Sequence, residues 1–143
     1  MAATVGSDLS LREVNDRFDE VCGHLNALHG QLLDLTIWLL EHDTWKSEGL
    51  WTPGQYLAWR AGVSPATTKK LITVATRASE FPTCVDMVRR GELSLDQVVP
   101  IAKHAPGWVD DQIATLAKHC TVRQITKVAS GYRWPDEPDP ADD

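Results

Sequence analysis

Leu57-Ala58-Trp59-Arg60-Ala61-Gly62-Val63-Ser64-Pro65-Ala66-Thr67-Thr68-Lys69-Lys70-Leu71-Ile72 reads as helix, tight turn, second helix. Ala58 is small enough for another helix to approach. Gly62 suits a turn that needs positive φ. Val63 is an apolar plug behind that turn. Ser64 can cap the next helix, and Pro65 fits its first position, where a missing N–H costs nothing. Leu71 and Ile72 can face inward while Lys69 and Lys70 face out. This is the grammar of a helix-turn-helix, whose second helix can lie in a DNA major groove. A tight corner of two helices used only for packing has the same grammar. Thr68 departs from the pattern, because an apolar residue usually packs inward there. Its hydroxyl could bond back to the carbonyl four residues earlier.

N-terminal to this corner, Leu11, Val14, Phe18, Val21, Leu25, Leu28, Leu32, Leu35 and Leu39 alternate spacings of three and four. That is a heptad repeat. Asp8 or Ser10 can cap its start, and Asp43-Thr44 is a plausible end. Gly23 and Gly30 weaken such a helix by up to about 1 kcal/mol each relative to Ala. The stripe is either the seam of a dimer arm or the inner face of a long bundle helix, and the two can hold together. Flanking residues Asn15, Cys22, His29 and Thr36 on one side, and Arg17, His24, Gln31 and Trp38 on the other, are not the paired charges of a parallel zipper. Cys22 and Trp38 widen the apolar face, as burial on several sides requires.

After a connection over Lys46 to Trp51, Thr52-Pro53 opens a helix to Ala61. The helix after the turn runs from Pro65 to about Ser79, with Leu71, Val74, Ala75 and Ala78 inward. Phe81-Pro82 breaks it. Short helices follow from Thr83 to Arg90, stopped by Gly91, and from Leu95 to His104, capped by Ser94 with Pro100 inside. Two more run from Val109 to His119 and, capped by Thr121, from Val122 to Ser130. No stretch alternates with period two. The expected fold is all-α: a multi-helix bundle over residues 1–131 with a long heptad-patterned first helix and an embedded helix-turn-helix-like segment. Residues 132–143 are acidic and proline-rich, and read as a disordered tail or linker stub.

The formal net charge of −6 argues against nucleic acid. Its distribution argues the other way. Residues 60–90 hold six basic groups (Arg60, Lys69, Lys70, Arg77, Arg89, Arg90) and only Glu80 and Asp86 as acids, a local +4 between acidic flanks. Binding responds to local potential, screened over roughly 10 Å. The three cysteines are widely spaced with no CxxC, which suits reduced, partly buried thiols in a cytoplasmic protein. No signal peptide or membrane span is visible. The histidines show no ligand spacing, and no nucleophile motif or phosphate loop is present, so no catalytic residue, metal or cofactor is expected. Asp110-Asp111 reads as the acidic first turn of a helix. The tryptophans, Trp59 included, read as packing residues before base-stacking ones.

From Trp51 through Ile101 the chain resembles a known family. The signature is Tyr56-Leu57-Ala58-Trp59-Arg60-Ala61-Gly62-Val63-Ser64-Pro65-Ala66-Thr67, followed by Arg89-Arg90-Gly91-Glu92-Leu93-Ser94-Leu95-Asp96-Gln97-Val98. Together they resemble the 13E12-repeat family, also called domain of unknown function 222, found chiefly in high-GC bacteria. Many members carry an HNH endonuclease domain after this region. The resemblance implies an N-terminal module of such a nuclease, here a truncated or stand-alone member or an isolated domain, because no HNH ligands occur up to Asp143. The two motifs also look like the DNA-binding region of plasmid and chromosome partition proteins, over about Thr52 to His104.

The expected function is therefore duplex-DNA binding by a module that dimerises through the helix 11–39. Thr67, Lys69 and Lys70 are the expected base-edge or phosphate contacts. Arg60 and Arg77 are backbone anchors, Arg89 and Arg90 are outer phosphate contacts, and Ser64 contacts at the helix start. The alternative is a protein-interaction and dimerisation module without direct DNA contact.

Overall fold

A computed structural model describes residues 9–42, 46, 49, 52–131 and 133–139. The expected helix end at Asp43-Thr44, Asp8 as a cap, Trp45, Trp51 and most of the connection before Thr52 lie outside the described residues. So do Tyr132 and the last residues of the tail.

The described residues form seven α-helices and no strand: α1 (Leu11–Glu41), α2 (Pro53–Ala61), α3 (Pro65–Thr76), α4 (Pro82–Arg89), α5 (Leu95–His104), α6 (Asp110–Ala117) and α7 (Val122–Gly131). No described helix is long and apolar enough to cross a membrane. α3 lies at the centre, packed on α1, α2 and α5; α4 fills the space between α1 and α6, and α7 closes on α5. Leu71, Val74, Val88, Leu93, Val98, Ile101, Ala114 and Ile125 are buried where these helices meet. Each large aliphatic side chain so buried contributes roughly 1.5–3 kcal/mol.

Most helix starts are written locally. Ser10 and Glu13 form a reciprocal capping box, as do Ser94 and Gln97; Thr121 and Gln124 exchange the same pair of bonds. Gln97 does a second job, donating from Nε2 to the carbonyls of Ala117 and Cys120 at the end of α6 (3.2 and 2.9 Å). α5 runs unbroken through Pro100, which is buried. α3 stops at Thr76, short of Ser79, and a 3-10 turn over Ala78–Glu80 follows. α6 begins at Asp110 after a 3-10 turn over Gly107–Val109, and ends at Ala117.

The α1 helix corrects the reading of its stripe as an inner face. Leu11, Phe18, Val21, Leu25, Leu28 and Leu35 are 50 to 76% exposed. Cys22 and Trp38 are exposed as well and widen no buried face. The packed side is the opposite one. Gly30 and Leu33 are buried there and Gly23 and Ile37 are half-buried; Thr36, at the edge of the stripe, is buried as well. Gly23, Gly30 and Ile37 recur every seventh residue, so they share one line along the helix. The glycines let backbone meet backbone. A Cβ on Gly30 would sit 2.7 Å from Arg89 Cα and 2.9 Å from Arg89 N. A Cβ on Gly91, which holds φ +79°, would overlap the Gly23 carbonyl. Gly23 and Gly30 are thus sites of close approach as well as weak points of the helix. At the C-terminal end the stripe does turn inward, and Leu39 is buried against α2.

The tail is not wholly free. Trp134 is half-buried against the core, and its Nε1 donates to the Ala129 carbonyl of α7 at 2.8 Å.

Candidate interaction surfaces

The helix-turn-helix corner forms as its residues dictate. The Thr52 hydroxyl accepts from Gln55 N at the start of α2 (3.0 Å). Gly62 sits at φ 66°, ψ 27°, and its N–H donates to the Ala58 carbonyl at 3.1 Å. Ser64 Oγ accepts from Thr67 N at 3.2 Å and lies 3.2 Å from Thr67 Oγ1, so it caps α3. α2 comes close to α3 at Gly54, where a Cβ would be 3.3 Å from Ile72 Cδ1 and from Thr68 Cγ2. Thr68 does pack inward, but its hydroxyl makes no back-bond. It is buried without a hydrogen-bond partner, and only its backbone N–H reaches the Ser64 carbonyl (3.0 Å).

The basic zone looks different in three dimensions. Lys70 Nζ is 3.0 Å from Asp96. Arg89 makes a forked contact with Asp34 of α1, at 2.7 and 2.9 Å. Arg90 lies between Asp86 and Glu92 (3.0 and 3.2 Å). Arg77 is a clasp within the fold. Its Nη1 donates to the Ala102 and Ala105 carbonyls at the end of α5, both at 2.8 Å, and it forks onto Glu80. It also lies over the Phe81 ring at 4.8 Å. The hydrogen bond to Glu80 holds the Arg77 pKa above its ordinary value despite partial burial, and the same bond holds Glu80 below the usual carboxylate value.

Four of the expected DNA contacts are therefore engaged with carboxylates of their own chain. Three of those acids, Asp34, Glu92 and Asp96, come from the acidic flanks. Thr67 is half-buried beside Lys70, in a cleft that also holds Asn26, His29 and Asp96. Arg60 and Lys69 are exposed, and no described carboxylate pairs with either. They remain available on the corner's outer side. Trp59 is exposed too, edge-on to Tyr56 at 5.7 Å, so it is not a core residue.

Asp110 plays a part its sequence position concealed. Its carboxylate accepts from Thr83 N (2.7 Å) and Cys84 N (3.0 Å), and so caps α4, whose own preceding residue Phe81 offers no side-chain cap. Asp111 meets the Thr83 hydroxyl. Burial pushes the Cys84 thiol far above its ordinary value, and Asp110 and Asp111 push it the same way. It is a neutral packing group. Among the described residues, no three His, Cys, Asp or Glu side chains cluster as a metal site.

The outer stripe of α1 is an exposed apolar surface that continues into a groove between α1 and α2. The groove, about 370 Å³, is lined by Leu32, Leu35, Trp38, Tyr56 and Leu57, with Arg60 at its rim. No family model, curated protein or solved structure matches this chain.

Proposed function

We propose that this chain is a helical dimerisation module whose α1 stripe packs against a second copy of itself. The observation that carries this reading is the exposure of six large apolar side chains at heptad spacing, on the side of α1 facing away from the body. A heptad seam needs a facing helix, and among the described residues none covers the stripe from Leu11 to Leu28. The stripe also survives a face-by-face division of labour. Gly23 and Gly30 fix α1 to the body, so the stripe is held outward by backbone contacts. Three unpaired cysteines support a cytoplasmic setting. Sedimentation equilibrium tests the reading. The native chain should sediment as a dimer, and the pair Leu25→Asp, Leu28→Asp as a folded monomer. A native chain that stays monomeric at its highest soluble concentration overturns it.

A second reading, DNA contact by the helix-turn-helix corner, is favoured by one observation. The corner has its turn, its cap and its first-turn proline in place, with Arg60 and Lys69 exposed and free of described carboxylates. The resemblance to the 13E12-repeat family supports the same setting, beside a DNA-cutting partner. Two cations per protomer make this a weak electrostatic footprint. A dimer engaging all four phosphates should show a slope of log affinity on log salt of about −3.6, from about −0.9 per contact. Arg60→Glu with Lys69→Glu should abolish that binding while leaving the dimer intact. No binding to mixed-sequence duplex at low salt removes this reading and leaves the first untouched.

A further inference from the structure

We infer that the two α1 helices pair antiparallel, with the N-terminal arm of each lying in the α1–α2 groove of its partner. This rests on the dimer reading and specifies its geometry.

Four observations converge. The first is the shape of α1. From Leu11 to Cys22 every residue except Val14 is exposed, and contact with the body begins at Gly23. The arm therefore projects about 18 Å past the body, at 1.5 Å per residue. The second is the groove. It occupies the other end of the same helix, from Leu32 to Leu39, and α2 supplies its far wall through Tyr56 and Leu57. Arm and groove are complementary in kind: one is an apolar ridge with no wall, the other an apolar trough with no ridge. Only an antiparallel pair brings them together, and it does so twice.

The third observation is register. With Leu11 and Phe18 at one heptad seam position and Val14 and Val21 at the other, antiparallel layers form when the paired numbers sum to 46, 53 or 60, and 53 is the sum that lays Phe18 and Val21 of the arm against Leu35 and Leu32 of the groove. Phe18 then faces the partner's Leu35, Val21 the partner's Leu32, and Leu25 the partner's Leu28. This register covers the seam from Phe18 to Leu35 in both chains and stops short of Leu39, which is buried against α2. The fourth is charge. The arm carries Glu13, Asp16, Asp19 and Glu20 against Arg12 and Arg17. A parallel pair sets two such acidic arms side by side. The antiparallel pair sets each beside the partner's Arg60, which no described carboxylate of its own chain meets.

Disulfide trapping decides the geometry. In a Cys22→Ser background, Phe18→Cys and Leu35→Cys are made as separate chains and mixed under mild oxidation. Cross-linked dimer should appear in the mixture and be absent from either chain alone. Cross-linking of each chain with itself would show a parallel pair and overturn the inference while the dimer stands. Should cysteine in the seam weaken association, a nitroxide at Asp16→Cys reads the same geometry from outside it. The labels should lie about 39 Å apart in the antiparallel pair, from about 32 Å along the axis and about 22 Å (roughly two helix diameters) across it, against about 22 Å in a parallel one. A short distance, or a dimer with no trapped 18–35 pair, sinks the antiparallel arrangement. A native chain that sediments as a monomer sinks the dimer reading itself.

Discussion

The two faces of α1 solve opposite problems with the same seven-residue period. The inner face carries Gly23 and Gly30 and touches backbone with backbone; Asp34 beside it forks onto Arg89. Nothing on it is greasy until Leu33. The outer face carries Leu, Val and Phe, and six of these side chains are 50 to 76% exposed. A helix can therefore be fixed to its domain by its smallest residues and still spend its largest ones elsewhere. Hydrophobic periodicity reports where apolar side chains lie. It does not report whether the domain or a partner covers them.

The contrast is open to attack at several strengths. Gly30→Val should strike hardest. The added side chain meets the Arg89 backbone, which cannot swing aside, and should cost about 3 kcal/mol in chemical denaturation. Leu28→Ala, two residues away on the other face, should change the stability of a chain already made monomeric by Leu25→Asp by less than about 0.5 kcal/mol. Equal losses at the two sites would erase the distinction between the faces. Away from α1, Thr68→Val should raise stability by about 1 kcal/mol, because it removes a buried hydroxyl without a partner. A loss there would mean that the hydroxyl is bonded in solution.

Asp34→Asn tests the polar link on the inner side. It should cost only about 0.5 kcal/mol, since the pair with Arg89 is about half exposed and screened. The smallest effect belongs to Glu80. Its pKa is lowered in the fold by Arg77, so the pair stabilises above the ordinary carboxylate pKa and the contribution is lost as pH falls through the lowered value. Glu80→Gln should flatten the acid limb of the stability profile by a few tenths of a kcal/mol after solvent screening. A variant as acid-sensitive as the native chain would remove that assignment.

Local chemistry was legible from residues alone. Ser10, Thr52, Ser64, Ser94 and Thr121 cap helices because their bonds span three residues, a distance that a sequence displays. What a sequence hides is who arrives from afar. The local +4 of residues 60–90 dissolves because Asp34 and Asp96 meet Arg89 and Lys70 from outside the counted window. Arg77 looked like a surface cation, yet its partners are carbonyls 25 and 28 residues on. The outward stripe had one available clue. Gly23, Gly30 and Ile37 repeat every seven residues opposite the leucines, and two glycines on one line of a helix point to close packing before they point to weakness.

Asp110 has a bearing on the order in which the chain assembles. The N-terminus of α4 is closed by a carboxylate that follows it by 27 residues at Thr83, from the first turn of α6. A helix of eight residues without a local cap has little persistence of its own. α4 therefore completes its first turn only once α6 has docked. The amides of Thr83 and Cys84 should then exchange with solvent at the rate of that undocking, while those opposite the self-contained capping box of Ser94 follow their own, local clock.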